Sequence, residues 1–250
     1  MHSDNLKKVT FKPLVNHMKA QIFSHEKYIG ITELQLGDES MGCLYGEFIP
    51  NENYHKYVQK TVWNFWTESK PDYNKWNAMK FNIQLNNGYF ISTAGITFDD
   101  IQELQQEPKR INIAGVDRHV IEDFFLQPEP RPFTENPWEI ISIEQKISFE
   151  NELRKEIGIC QDKSIWNLFA SNESQHILVD FEISALCHDS RNDDVLFIAK
   201  RQNYDNQFAV VHLTWKRSKE IEGYPRTKLY DSFDEFKYHR MYPDKAEWEY

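Results

Sequence analysis

The sequence predicts an α+β protein: mainly antiparallel sheets with a few packed helices, arranged as two small domains. Three observations carry that expectation. The stretch Val195–Trp215 (VLFIAKRQNYDNQFAVVHLTW) places two strongly apolar runs on either side of the polar connector Arg201–Gln207, the pattern of a buried β-hairpin. Asn86-Asn87-Gly88 sits between two strand-like runs, Met79–Leu85 and Tyr89–Phe98, and supplies residues that accept the positive φ of a tight turn. Four prolines in the twelve residues Gln127–Trp138 (QPEPRPFTENPW) interrupt regular structure. Such hairpins leave little room for the long helical crossovers of a doubly wound parallel sheet. The expected organisation is an N-terminal domain over residues 1–127 and a C-terminal domain over 139–250, with a proline-rich connector at 128–138.

Taken in order, Lys7–Leu14, Tyr28–Leu36 and Cys43–Ile49 alternate with β-branched and aromatic residues and read as strands. Asn51–Glu68 reads as a helix, with Asn51 or Asn53 as cap and Tyr54, Val58, Val62, Phe65 and Trp66 as its apolar stripe. Arg110–Val116 is a further strand and Asp117–Leu126 a short helix. Past the connector, Glu139–Ile157 and Ser164–Ala170 are expected to be helical, and His176–Leu186 a strand. The Val195–Trp215 hairpin follows, with Leu196, Phe197, Phe208, Val210 and Leu213 as core. Ser232–Met241 is a helix with Ser232 and Glu235 spaced as a capping box.

Composition narrows the function classes. Hydrophobic residues are 40% and aromatics 14%, enough apolar area for a packed core rather than global disorder. The net charge of −10 repels phosphate backbones, and no basic stripe offsets it, so a nucleic-acid partner is not expected. Cys43, Cys160 and Cys187 are odd in number and widely spaced, which suits a reducing cytosol. The start MHSDNLKKVTF carries no apolar leader, and no apolar run approaches the ~18 residues of a membrane span, so a cytoplasmic protein without a membrane partner is expected.

Motifs for chemistry are sparse. His176, Asp180, His188, Asp189, Asp193, Asp194 and His212 could supply a metal site or general acid–base chemistry, the basis of a rival hydrolase reading. Their spacing matches no metal-ligand pattern, and Asp189–Asp194 has the composition of a hydrated turn, so neither metal nor catalytic residue is assigned. His212 is expected to be a hydrogen-bonded core residue, and Trp215 to pack on the sheet rim. Adjacent Cys187 and His188 would point to opposite strand faces, which disfavours a thiol dyad. Neither GxGxxG nor a Walker pattern occurs, and no cofactor is expected. Acidic residues recur beside aromatics: Asp99-Asp100 by Phe98, Glu122-Asp123 by Phe124, Glu220 and Glu222 by Tyr224, and Asp234-Glu235 by Phe236. Aromatic anchors within an acidic surface suit a basic protein partner, and Asp189, Asp193, Asp194, Glu220, Glu222 and Tyr224 are the candidate contact residues.

The block from VLFIAKR through FAVVHLTW to EGYPRTKLYDSFDEF resembles a segment of bacterial proteins encoded near polymorphic or contact-dependent toxins, where such chains serve as immunity proteins. The similarity covers about the last 60 residues of the chain, with an echo around YGEFIPNENY. It implies a non-enzymatic cytosolic protein that binds and blocks a toxin domain. Many such toxins are basic nucleases, which an acidic protein would suit. No set of functional residues carries over.

Overall fold

A computed structural model describes residues 16–127, 132–159, 175–201, 204 and 206–250. The strand expected at Lys7–Leu14 and the helix expected at Ser164–Ala170 lie outside the described residues, as does Cys160. The architecture is α+β, with two antiparallel sheets and a few helices.

The first sheet is built from β1 Met18–Ser24, β2 Lys27–Leu36, β3 Leu44–Pro50, β4 Phe81–Leu85, β5 Gly95–Asp99 and β6 Lys109–Ala114, in the order β4-β1-β2-β3-β6-β5. Alternation drives it: Met18, Ala20 and Ile22 of β1 are buried while Lys19 and Gln21 face out. The sheet curls until its two outermost strands meet, so that the rings of Phe81 and Phe98 stand 5.1 Å apart and Trp76 donates its indole N–H to the Ile96 carbonyl at 3.2 Å. This curl alters the expected hairpin. The Asn86–Gly88 turn forms, with Gly88 at φ 92°, but the arm after it keeps only a bridge between Gln84 and Phe90. The chain then crosses over, and Gly95–Asp99 pairs with β6 instead, matching Ile96 to Ile113 and Phe98 to Ile111.

A π-type turn at Tyr54–Val58 leads into α1 Gln59–Thr67. The Asn51 carboxamide accepts from the backbone N–H groups of Asn53 and Tyr54, as its position in the sequence suggests. Asp100 fastens this segment to the sheet: its buried carboxylate accepts from the Tyr54 hydroxyl at 2.8 Å, the Gln59 amide at 3.0 Å and the Trp63 indole at 3.1 Å. The short helix α2 Tyr73–Ala78 precedes β4, capped by the Asp72 carboxylate. After β6 comes α3 Arg118–Val120, continued by a π-type turn at Ile121–Phe125.

The second sheet draws every strand from the C-terminal half: β7 Trp138–Ile140, β8 Glu182–Asp189, β9 Asp194–Lys200, β10 Gln207–His212 and β11 Thr227–Tyr230, in the order β11-β10-β9-β8-β7. The β9–β10 hairpin forms as expected, with Phe208 opposite Ile198 and Val210 opposite Leu196. Val195–Ala199 are all buried, which a strand shows only when both sheet faces are covered. Leu196, Phe197, Phe208, Val210 and Leu213 are all core.

Three boundaries move. The helix expected at 139–157 begins later, as α4 Ile143–Glu156, because Trp138–Ile140 pairs with Cys187–Asp189 and Ser142 with Gln145 then forms a full capping box. The strand expected from His176 starts at Glu182. The C-terminal helix runs on from α5 Phe233–Phe236 through a π-type turn to α6 Tyr242–Trp248. Ser232 caps α5 by accepting from the Glu235 N–H, but the Glu235 carboxylate reaches Asp231 N rather than Ser232 N, so the box is only half formed.

An aromatic seam joins the sheets. Tyr89 packs on Phe124, Phe133 and Phe233, and its hydroxyl meets His119 Nε2 at 2.9 Å. His119 in turn contacts Phe208 and Phe233. At Gly88 a Cβ would stand 2.6 Å from Ile140 Cγ2, so only glycine permits this approach of the two halves.

Candidate functional site

The loop that follows β10 combines exposed anchors with a strained, well-held backbone. Trp215 and Arg217 have φ of 56° and 62°, a left-handed conformation that costs a non-glycine residue on the order of 1–2 kcal/mol. Two carboxylates from one face of α4 hold it there. Glu156 Oε1 accepts from Thr214 N at 2.8 Å and Trp215 N at 2.7 Å, with Thr214 Oγ1 3.0 Å away. Glu152 accepts from Arg217 N at 2.6 Å, and the Glu156 carbonyl receives Glu220 N at 2.8 Å. Burial pushes the Glu156 carboxyl up from its ordinary range, opposed by the Thr214 and Trp215 hydrogen bonds.

On this frame the loop presents Trp215 (40% exposed), Ile221 (65%) and Tyr224 (36%), together with the exposed Glu222 carboxylate. The Trp215 indole donates to Asp193 Oδ1 at 2.9 Å, and its ring lies 5.9 Å from Phe149. The Tyr224 ring carries the Arg226 guanidinium at 5.5 Å. Glu220 is turned inward: it accepts from the Thr214 hydroxyl at 2.6 Å and pairs with Lys216 at 3.0 Å, and both hold its carboxyl below the usual range.

Of the six contact candidates, the structure therefore places Asp193, Glu222 and Tyr224 at the surface. Asp189 and Asp194 correct the expectation of a hydrated acidic turn. Asp189 is fully buried and accepts from Arg191 N at 2.9 Å, Arg191 Nη2 at 2.7 Å and Asn192 Nδ2 at 3.3 Å. Burial works to raise its pKa, but the Arg191 hydrogen bonds and the Arg240 charge outweigh it and hold the carboxyl below its ordinary range. Arg191 also reaches Asp244 at 3.0 Å, and Arg240 binds Asp194 at 2.7 Å and Asp244 at 2.8 Å. Asp244 accepts from the Trp138 indole at 2.8 Å, so this network fastens the β8–β9 turn and β7 to the C-terminal helix. The acidic sites elsewhere likewise differ from one continuous surface: Asp100 is buried, as are the neighbouring rings Phe98, Phe124 and Phe236.

The histidines of the sequence cluster have separate partners. His176 binds the Pro225 carbonyl at 3.0 Å, His188 lies against the Phe149 ring at 5.7 Å, and Asp180 stands 4.0 Å from Arg201. His212 is exposed at the strand end rather than in the core, with Nδ1 2.8 Å from Asp194. Among the described residues no three His, Cys, Asp or Glu side chains come together as a metal site, and no helix is long and apolar enough to cross a membrane. Cys187 is buried, where desolvation pushes its thiol well up, and Cys43 is half-buried.

Ile221 and the two holding carboxylates were not singled out by the sequence, and Trp215 was expected only to pack on the sheet rim, whereas it is 40% exposed. Glu152 and Glu156 did carry a signal, falling at i and i+4 on the helix face that also holds Phe149 and Leu153. No family model matches the chain, and no curated protein or solved structure matches it either.

Proposed function

We propose that this protein works by binding rather than by catalysis, as a cytosolic immunity protein that neutralises a basic toxin domain. The observation that carries the reading is the Thr214–Tyr224 loop: a strained backbone, held by buried carboxylates, that displays Trp215, Ile221 and Tyr224 beside Asp193 and Glu222. Strain of this kind persists where the surroundings over-determine it, and it marks functional segments. Preorganisation lowers the entropy lost on docking, and aromatic anchors are enriched among interface hot spots. The net charge of −10 favours a basic partner through electrostatic steering and disfavours nucleic acid. The rival hydrolase reading has one contact in its favour, the Asp194–His212 pair, although Arg240 shares that carboxylate.

The test is capture of the partner on the full chain in its source cells, followed by co-expression of the captured protein. Support requires a basic, growth-inhibiting partner, an association rate that falls several-fold with ionic strength, and loss of protection in Trp215→Ala/Tyr224→Ala with the melting temperature preserved. Protection that survives this double variant refutes the loop assignment. Protection lost in His212→Ala at unchanged affinity and stability refutes the binding mechanism.

A further inference from the structure

A cleft of about 1570 Å³ opens between the curled first sheet, α4 and the β8–β9 strands. Five cations line it against three carboxylates, a reversal of sign in a chain that is net acidic. The cations arrive from separate elements: Lys80 before β4, Arg110 on β6, Lys146 and Arg154 on α4, and Lys200 at the end of β9.

Lys146 and Arg154 have a carboxylate between them. The Lys146 ammonium is buried, binds Glu150, and donates to Ser184 Oγ at 2.7 Å. Glu150 also accepts from Ala185 N at 3.1 Å and stands 3.6 Å from Arg154. Lys80, Arg110 and Lys200 are different: none makes an ion pair with a described carboxylate. Lys200 acts at longer range on half-buried Asp117, and Arg110 lies over the Tyr45 ring at 4.2 Å. Glu182, directly across the ladder from Lys200, and Glu26 complete the acidic lining without pairing to these three. Thr97 and Asn151 add neutral hydrogen-bonding groups to the wall. At Gly95 a Cβ would meet nothing within 4 Å, so the wall there is open.

We propose that this cleft binds a small, multiply charged anion, a phosphorylated or polycarboxylated metabolite, through Arg110, Lys200 and Lys80. Its volume exceeds the ~300–1,000 Å³ of ordinary ligand pockets, so such a molecule fits with its water. A small ion that reaches these cations feels their field within one Debye length, roughly 8 Å. A long polyanion such as nucleic acid would meet the repulsion of the whole acidic surface, which selects the small ligand.

Calorimetric titration of the full chain at low ionic strength tests this, with pyrophosphate, ATP and citrate as probes and sodium chloride of matched ionic strength as control. Saturable binding of at least one probe is expected. Arg110→Ala/Lys200→Ala should weaken it by about tenfold or more, since two charge-assisted contacts go. Arg118→Ala, outside the cleft, should leave it unchanged. Preference for ATP over pyrophosphate assigns a nucleoside to the ligand, the reverse order assigns phosphate alone, and preference for citrate assigns carboxylates. No saturable binding by any probe up to about 10 mM, or equal binding by the double variant, overturns the proposal. Trp215→Ala should not alter anion binding, which separates this site from the partner loop.

Discussion

Asp189→Ala should destabilise the protein far more than Asp193→Ala, although the two acids share one turn. The Asp189 carboxylate is fully buried and receives the backbone N–H, Nε and Nη2 of Arg191 and the Asn192 amide, with Arg240 3.9 Å away. Removing it leaves two guanidiniums sharing Asp244 and Asp194, and breaks the tie between the turn and the C-terminal helix. Loss of one partner from a buried ion pair costs about 3–5 kcal/mol. The figure belongs at the lower end here, because Arg191 and Arg240 are about a third exposed and keep other carboxylates, so about 3 kcal/mol is expected. For a chain of this size that lowers the melting temperature by roughly 6–12 °C. Asp193 faces solvent and among the described residues its carboxylate accepts one hydrogen bond, from the Trp215 indole, so its loss should cost under about 1 kcal/mol. Urea titrations of both variants, read by far-UV circular dichroism and by tryptophan fluorescence, provide the measurement. Equal midpoints for the two variants would refute the buried network and restore a hydrated turn.

Two further outcomes follow from the seam between the sheets. Burial lowers the His119 pKa to about 4 from an ordinary value near 6.5, so the unfolded chain binds a proton that the folded chain refuses between those values. Its contribution is present above pH 6.5 and is lost as pH falls towards 4, by at most about 3 kcal/mol; His119→Gln should flatten that part of the stability–pH curve, and an unchanged curve would exclude His119 as its source. Limited proteolysis should cut first within the proline-rich segment 127–138, and the halves should then co-elute through the Tyr89, His119, Phe208 and Phe233 contacts; first cuts elsewhere would show the domain boundary to be misplaced.

The β9–β10 hairpin, its core side chains, the Asn51 cap and the tight turn at Gly88 were legible from the sequence by itself. Each is a local matter: strand alternation, a short polar side chain facing free N–H groups, or a backbone angle only certain residues accept. The α+β class followed from the same local signals. Tertiary structure decided what depends on residues far apart in sequence. It sent Gly95–Asp99 to β6 instead of back along β4, because the curled sheet offered Ile111 and Ile113 as partners. It turned Asp189, Glu152 and Glu156 from apparent surface acids into buried acceptors, since burial of a charge is decided by the donors that meet it: Arg191 and Arg240, or the backbone of Thr214–Arg217. It also exposed His212 at a strand end and gathered Arg110, Lys80 and Lys200 around one cleft. A carboxylate or a guanidinium carries the same charge in the sequence wherever it lies; only the fold assigns its solvent and its partner.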